Sequence, residues 1–152
     1  MLDPNGDVIQ VVPDMDFPNG TVITPDGATL IVGETFGSKL TAFDVLADGT
    51  LANRRVWAPL EMAASDGMCL DADGQIWFAN ALTRTCVRVA EGGEVTGTVS
   101  CSQRAFACML GGEDRTTLFV MTAATSDRFE VGETTNGRIE AVRVDVAGAG
   151  TP

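Results

Sequence analysis

With 152 residues, 45% of them hydrophobic, the chain is long enough for one domain with a core of its own. Its net charge of -11, from 21 acidic against 10 basic side chains with Lys39 the sole lysine, excludes a nucleic-acid partner, because phosphate contacts need a basic surface. The absence of histidine removes Ser-His-Asp and Cys-His catalysis and histidine-based zinc sites, leaving oxygen chemistry from Asp, Glu and Asn, for which hard cations are the natural partners.

Seventeen glycines and an aromatic content of 6% predict short strands joined by tight turns, an all-β chain. No apolar run approaches the roughly 20 residues that span a bilayer, and the start Met1-Leu2-Asp3-Pro4-Asn5-Gly6-Asp7 lacks a signal peptide's charged and apolar regions. The expectation is a soluble, cytoplasmic protein without a membrane partner. Cys69, Cys86, Cys101 and Cys108 lack C-x-x-C spacing and read as free buried thiols.

In chain order, residues 7–12 alternate loosely and predict a leading strand closed by Pro13-Asp14. A first unit follows, with strands over 21–24, 29–32, 39–45 and 51–57 and turns at Pro25-Asp26-Gly27 and Asp48-Gly49. The same order returns over 68–70, 76–79, 85–89 and 95–99, turning at Asp73-Gly74 and Glu91-Gly92-Gly93. A third round covers 105–110, 117–122 and 138–146, interrupted by a long polar loop from Thr125 to Gly137. The turn acids Asp26 and Asp73 stand 47 residues apart, and Asp73 and Asp114 stand 41 apart. That period, with about four short strands per repeat, is the signature of β-propeller blades. The expected architecture is therefore a partial propeller of about three blades of four antiparallel strands, one domain over residues 1–146, followed by a flexible tail over 147–152.

Two residues stand out by repeat position. Asn19, in Pro18-Asn19-Gly20, and Asp66, in Ser65-Asp66-Gly67, lie 47 residues apart, each just before the innermost strand of its unit. On neighbouring blades both would project at the same axial end, where an amide oxygen and a carboxylate could hold a hard cation and the carboxylate could activate water. Asn-Gly and Asp-Gly are equally the residues of tight turns, and spacing leaves both readings open. Glu34, ending a strand, is either a contact near the axis or an exposed strand end. The stretch Gly33 to Lys39 departs from a phosphate loop in its spacing and in the order of Ser and Lys. Asp71-Ala72-Asp73-Gly74 lacks the later ligands of a calcium loop and reads as a β-turn. Trp57 and Trp77 are predicted in the core and Cys108 in an inner strand.

Phe17-Pro18-Asn19-Gly20, Ala42-Phe43-Asp44-Val45, Asp66-Gly67-Met68-Cys69-Leu70-Asp71-Ala72-Asp73-Gly74 with Trp77, then Cys108, Gly111-Gly112 and Leu118-Phe119-Val120 resemble a known family. In that order they match the C-terminal half of the gluconolactonase, senescence marker protein (regucalcin) and luciferin-regenerating enzyme family. The resemblance implies a six-bladed propeller with one divalent metal ion on its axis, calcium or zinc foremost and manganese or magnesium as further candidates. It implies metal-dependent hydrolysis of a small-molecule lactone. In such enzymes a Glu of the first blade, the Asn of P-N-G and the Asp of D-G hold the metal. The last two carry over to Asn19 and Asp66 as metal ligands, with Asp66 also the catalytic group that takes or relays a proton. The first-blade Glu and the family's substrate-binding Arg, Asn and Glu match no residue here. An inactive fragment, or a half-propeller that only binds sugar or metal, is the alternative reading. Three blades are half of six, so a homodimer could close the ring, with residues 7–12 completing the partner's open blade.

Overall fold

The computed structural model describes residues 5, 6, 8, 10–127, 129, 130 and 135–149, and over them the chain forms eleven strands. They are β1 (Pro18–Ile23), β2 (Thr29–Glu34), β3 (Lys39–Val45), β4 (Leu51–Pro59), β5 (Ser65–Leu70), β6 (Ile76–Asn80), β7 (Thr85–Val89), β8 (Val95–Ser100), β9 (Arg104–Gly111), β10 (Thr117–Ala123) and β11 (Arg138–Arg143). Strands adjacent in sequence pair antiparallel and fall into three sheets, β1–β4, β5–β8 and β9–β11, so each predicted round is one blade. The turns form where short polar side chains can replace a backbone partner: Asp26, Asp48 and Asp114 each accept the amide two residues on, from Ala28, Thr50 and Thr116. Among the described residues no helix is long and apolar enough to cross a membrane.

The blades pack face to face, and the two interfaces are the core. Ile31, Leu40, Ala42 and Trp57 of the first blade meet Met68, Ile76, Phe78 and Val89 of the second. On the second blade's other face, Cys69, Trp77, Ala79 and Cys86 meet Ala105, Cys108, Leu110, Leu118 and Val120 of the third. Successive side chains of a strand point to opposite faces, so Trp77 and Phe78 serve different interfaces. The middle blade is buried on both sides, which is why β6, Ile-Trp-Phe-Ala-Asn, is a continuous buried run instead of an alternating one. The cysteines are free, three of them buried between the blades and Cys101 half-buried, where burial first and the neighbouring Cys86 second push its thiol up to about 11.

The chain's two ends depart from the predicted elements. Asp7 and Ile9 lie outside the described residues, Val8 is a β-bridge residue, and Gln10 to Val12 form no strand. The Gln10 side chain instead takes a strand partner's place at the edge of β4. Its Nε2 donates to Leu51 O at 2.9 Å and its Oε1 accepts from Leu51 N at 2.7 Å. β11 ends at Arg143, short of the expected Val146. Ala147 to Ala149 then lie against the second blade, with Ala72 N donating to Ala147 O at 2.7 Å and Ala149 N to Leu70 O at 3.0 Å. Residues 150–152 lie outside the described residues.

The first strands of the blades, β1, β5 and β9, stand side by side. Two glycines set how closely they approach. A Cβ on Gly20 would fall 2.2 Å from Asp66 O, and one on Gly67 would fall 2.8 Å from Ala107 Cα. Gly67→Ala must therefore push two backbones apart, and is expected to destabilise the fold by about 2 kcal/mol. A lowered urea midpoint at unchanged m-value would record it.

Candidate functional site

Asn19 and Asp66 occupy equivalent places. Between Pro18↔Glu34 and Thr21↔Val32 the chain takes three steps along β1 against two along β2. Between Ser65↔Asn80 and Met68↔Phe78 it again takes three against two. Each residue thus lies inside a β-bulge within the first residues of its strand, whereas the sequence placed it just before the strand. A bulge re-aims the side chain it carries, and here both are re-aimed alike on neighbouring strands. β9 has the matching irregularity, with Phe106 between Ala105↔Thr122 and Ala107↔Met121, so the third blade adds no polar group there.

The two side chains lie on packed neighbouring strands, β1 and β5, and the Asn19 Nδ2 lies 3.3 Å from Thr35 Oγ1. The Thr35 hydroxyl donates in turn to Ser65 O at 2.7 Å, tying the first blade to the second beside Asp66. Burial pushes the Asp66 carboxyl above the ordinary carboxylate range, opposed but not overcome by the Asn19 amide and the Gly67 N–H. The fully buried carboxylates Glu34 and Asp71 each face a Lys or Arg, whereas among the described residues Asp66 has no ion-pair partner.

A half-buried carboxylate without an ion-pair partner among the described residues, beside a neutral amide on the neighbouring strand, is a donor set that suits a hard divalent cation. It is two ligands of a shell. Among the described residues no three Cys, Asp or Glu side chains come together as a metal cage.

Glu34 is a fully buried side chain, which corrects the reading of an exposed strand end. Its Oε2 accepts from Asp16 N at 2.7 Å, and its Oε1 accepts from the Thr41 hydroxyl. Lys39 Nζ lies 3.5 Å away and Arg54 Nη2 3.4 Å. Arg54 also donates to Pro13 O at 3.0 Å and Asp14 O at 2.7 Å, while Thr35 N donates to Phe17 O at 3.1 Å. Together they fasten residues 13–17, the approach to Asn19, across the end of the blade.

Burial alone would raise the Glu34 carboxyl, but the Asp16 amide, the Thr41 hydroxyl, Lys39 and Arg54 outweigh it and hold it below the ordinary range. A depressed folded-state value means stability that is present above the unfolded value, about 4.3, and lost as pH falls through the folded one. Glu34→Gln is therefore expected to be less stable than wild type at neutral pH and to lose less stability than wild type below about pH 4. Urea denaturation across pH 2 to 7 measures both.

Asp71 behaves as the turn scaffold the sequence suggested. Its Oδ1 accepts the amides of Asp73 and Gln75, each at 3.0 Å, and its Oδ2 lies 2.7 Å from Arg88 Nε. Sequence reading singled out Asn19 and Asp66 and did not consider Thr35. Its only signal was its place immediately after Glu34, beyond the strand predicted to pair with β1.

The sequence profile of the SMP-30/gluconolactonase/LRE-like region matches residues 1–124. The chain belongs to that family. Regucalcin from Gallus gallus is 30% identical over 128 residues, which is 81% of this chain and 43% of its own length. A gluconolactonase from Xanthomonas campestris superposes with a TM-score of 0.66 at 31% identity, over 81% of this chain and 40% of that one. The calcium-binding protein regucalcin from Agrobacterium tumefaciens gives a TM-score of 0.77 at 22% identity, over 94% of this chain and 51% of that one, a likeness of fold. The chain spans less than half the length of the curated regucalcins it matches. Its three sheets are accordingly three blades of the SMP-30/gluconolactonase propeller.

Proposed function

We propose that these blades carry part of the site of a metal-dependent lactone hydrolase, with Asn19 and Asp66 as ligands of one divalent cation. The observation that carries the reading is the placement of Asn19 and Asp66 at matching bulges of adjacent inner strands, where Asp66 has no cationic partner among the described residues. Relatives described as gluconolactonase and as calcium-binding regucalcin support it.

The Asn19 oxygen and the Asp66 carboxylate would hold the cation, calcium or zinc foremost. A divalent cation there supplies Lewis acidity toward the lactone carbonyl and toward water. Asp66 is the group that takes the water's proton. The Asn19 amide contributes a ligand without charge. Neither step needs a protein nucleophile, which suits a chain without histidine.

Calorimetric titration with calcium, zinc, manganese and magnesium, paired with pH-stat measurement of gluconolactone opening, tests the reading. Saturable binding of one ion with cation-dependent opening is expected. Binding without turnover would leave a metal-binding half-propeller, and the absence of both would leave an inert scaffold.

The free face of the third blade favours a second reading, of assembly. Met121 and Ile139 pair across β10 and β11 and are 36% and 74% exposed, with Phe119 on the same face. A second copy seated there as a two-fold dimer would cover them. A monomeric mass by light scattering at all concentrations would refute it.

A further inference from the structure

Asn19 can serve a cation only through its carbonyl oxygen, so whatever fixes the flip of its amide decides whether it is a ligand at all. Oxygen and nitrogen of an amide are told apart by their partners, and here the partner is Thr35. Thr35 is 7% exposed, and its hydroxyl has one proton. That proton goes to Ser65 O, 2.7 Å away, an atom that can only accept. The Thr35 oxygen therefore has only lone pairs left for Asn19, and the atom facing it at 3.3 Å must be the amide nitrogen. With Nδ2 turned to Thr35, Oδ1 is the atom of Asn19 that remains for an external partner.

We propose that Thr35 is the positioning residue of this pair: its hydroxyl, oriented by Ser65 O, fixes the Asn19 amide so that Oδ1 is presented as the ligand. The inference rests on the cation reading of Asn19 and Asp66, but its first consequence concerns the amide alone. Thr35 is itself held at both ends. Its main-chain N donates to Phe17 O at 3.1 Å, and the neighbouring Glu34 fastens the Asp16 amide at 2.7 Å. The hydroxyl thus reaches Asn19 from a rigid base, and orients a ligand without touching the cation.

The test compares Thr35→Val, which keeps the shape and removes the hydroxyl, with Thr35→Ser, which restores it. In the cation-free protein, the Asn19 side-chain amide resonances in a 15N-edited spectrum are expected to shift in Thr35→Val and to return toward wild type in Thr35→Ser. Calcium and zinc affinities by calorimetry are expected to fall about 10- to 100-fold in Thr35→Val and to stay within about threefold of wild type in Thr35→Ser. Thr35→Ala gives the same comparison should Thr35→Val fail to fold. Unmoved Asn19 resonances in the hydroxyl-less variant would overturn the orientation. Shifted resonances with unchanged affinity would overturn its role in binding. If wild type itself binds neither ion, the cation reading and the ligand role fall together, while the resonances still report separately on whether Thr35 orients the amide.

Discussion

Asp66→Ala is expected to abolish cation-dependent lactone opening and to weaken calcium or zinc binding by more than roughly 100-fold. Loss of a group that merely orients a ligand already costs about 10- to 100-fold, and Asp66 is the one charged donor of the pair. Asp73→Ala removes a carboxylate from the same hairpin, but one that is 56% exposed and bonded to Arg88, and should leave both quantities near wild type. Equal effects of the two substitutions would refute the assignment. Asp66→Asn sharpens the test through stability. Because burial raises the folded-state value of this acid, its charged form destabilises the fold, and the cost appears as pH rises through the unfolded value to the folded one. At neutral pH the amide variant should therefore be more stable than wild type while binding no cation. A site residue whose removal stabilises the fold is one retained for function.

Asp71→Ala should act in the opposite sense, destabilising the chain by about 3–5 kcal/mol, measurable by urea or thermal denaturation. The Asp71 carboxylate is fully buried, and Arg88, whose side chain is 13% exposed, faces it at 2.7 Å. Removing the acid leaves a largely buried guanidinium with only the exposed Asp73, and frees the amides of Asp73 and Gln75. It also loosens the turn against which Ala147 to Ala149 are laid. Two aspartates five positions apart thus have separate expected signatures, one in binding and the other in stability.

The blade pattern could be read from the sequence because each blade is local. Neighbouring strands are joined by short turns, so a turn acid and a glycine at a repeating distance mark the hairpins directly. β3 and β7 coincide with the predicted residues, and the other strands differ mainly at their ends. Of the expected leading strand, Asp7 and Ile9 lie outside the described residues and Val8 is a β-bridge residue, while the Gln10 side chain bonds the β4 main chain at Leu51. Glu34 was misread because the last residue of a strand looks exposed, whereas in the fold the Asp16 amide, Thr41, Lys39 and Arg54 close around it.

Asn19 and Asp66 were legible as a pair because the same bulge occurs at the same place in two repeats, preserving their spacing of 47. The sequence by itself determined the three-blade pattern, the absence of histidine side chains and the matching repeat positions of Asn19 and Asp66, since each follows from residue type and spacing. The tertiary structure decided which atoms they present. A bulge changes the register by one residue without changing the sequence period, so the contact of Thr35 with Asn19 appears only once β1 is paired with β2 and β5 is packed beside them.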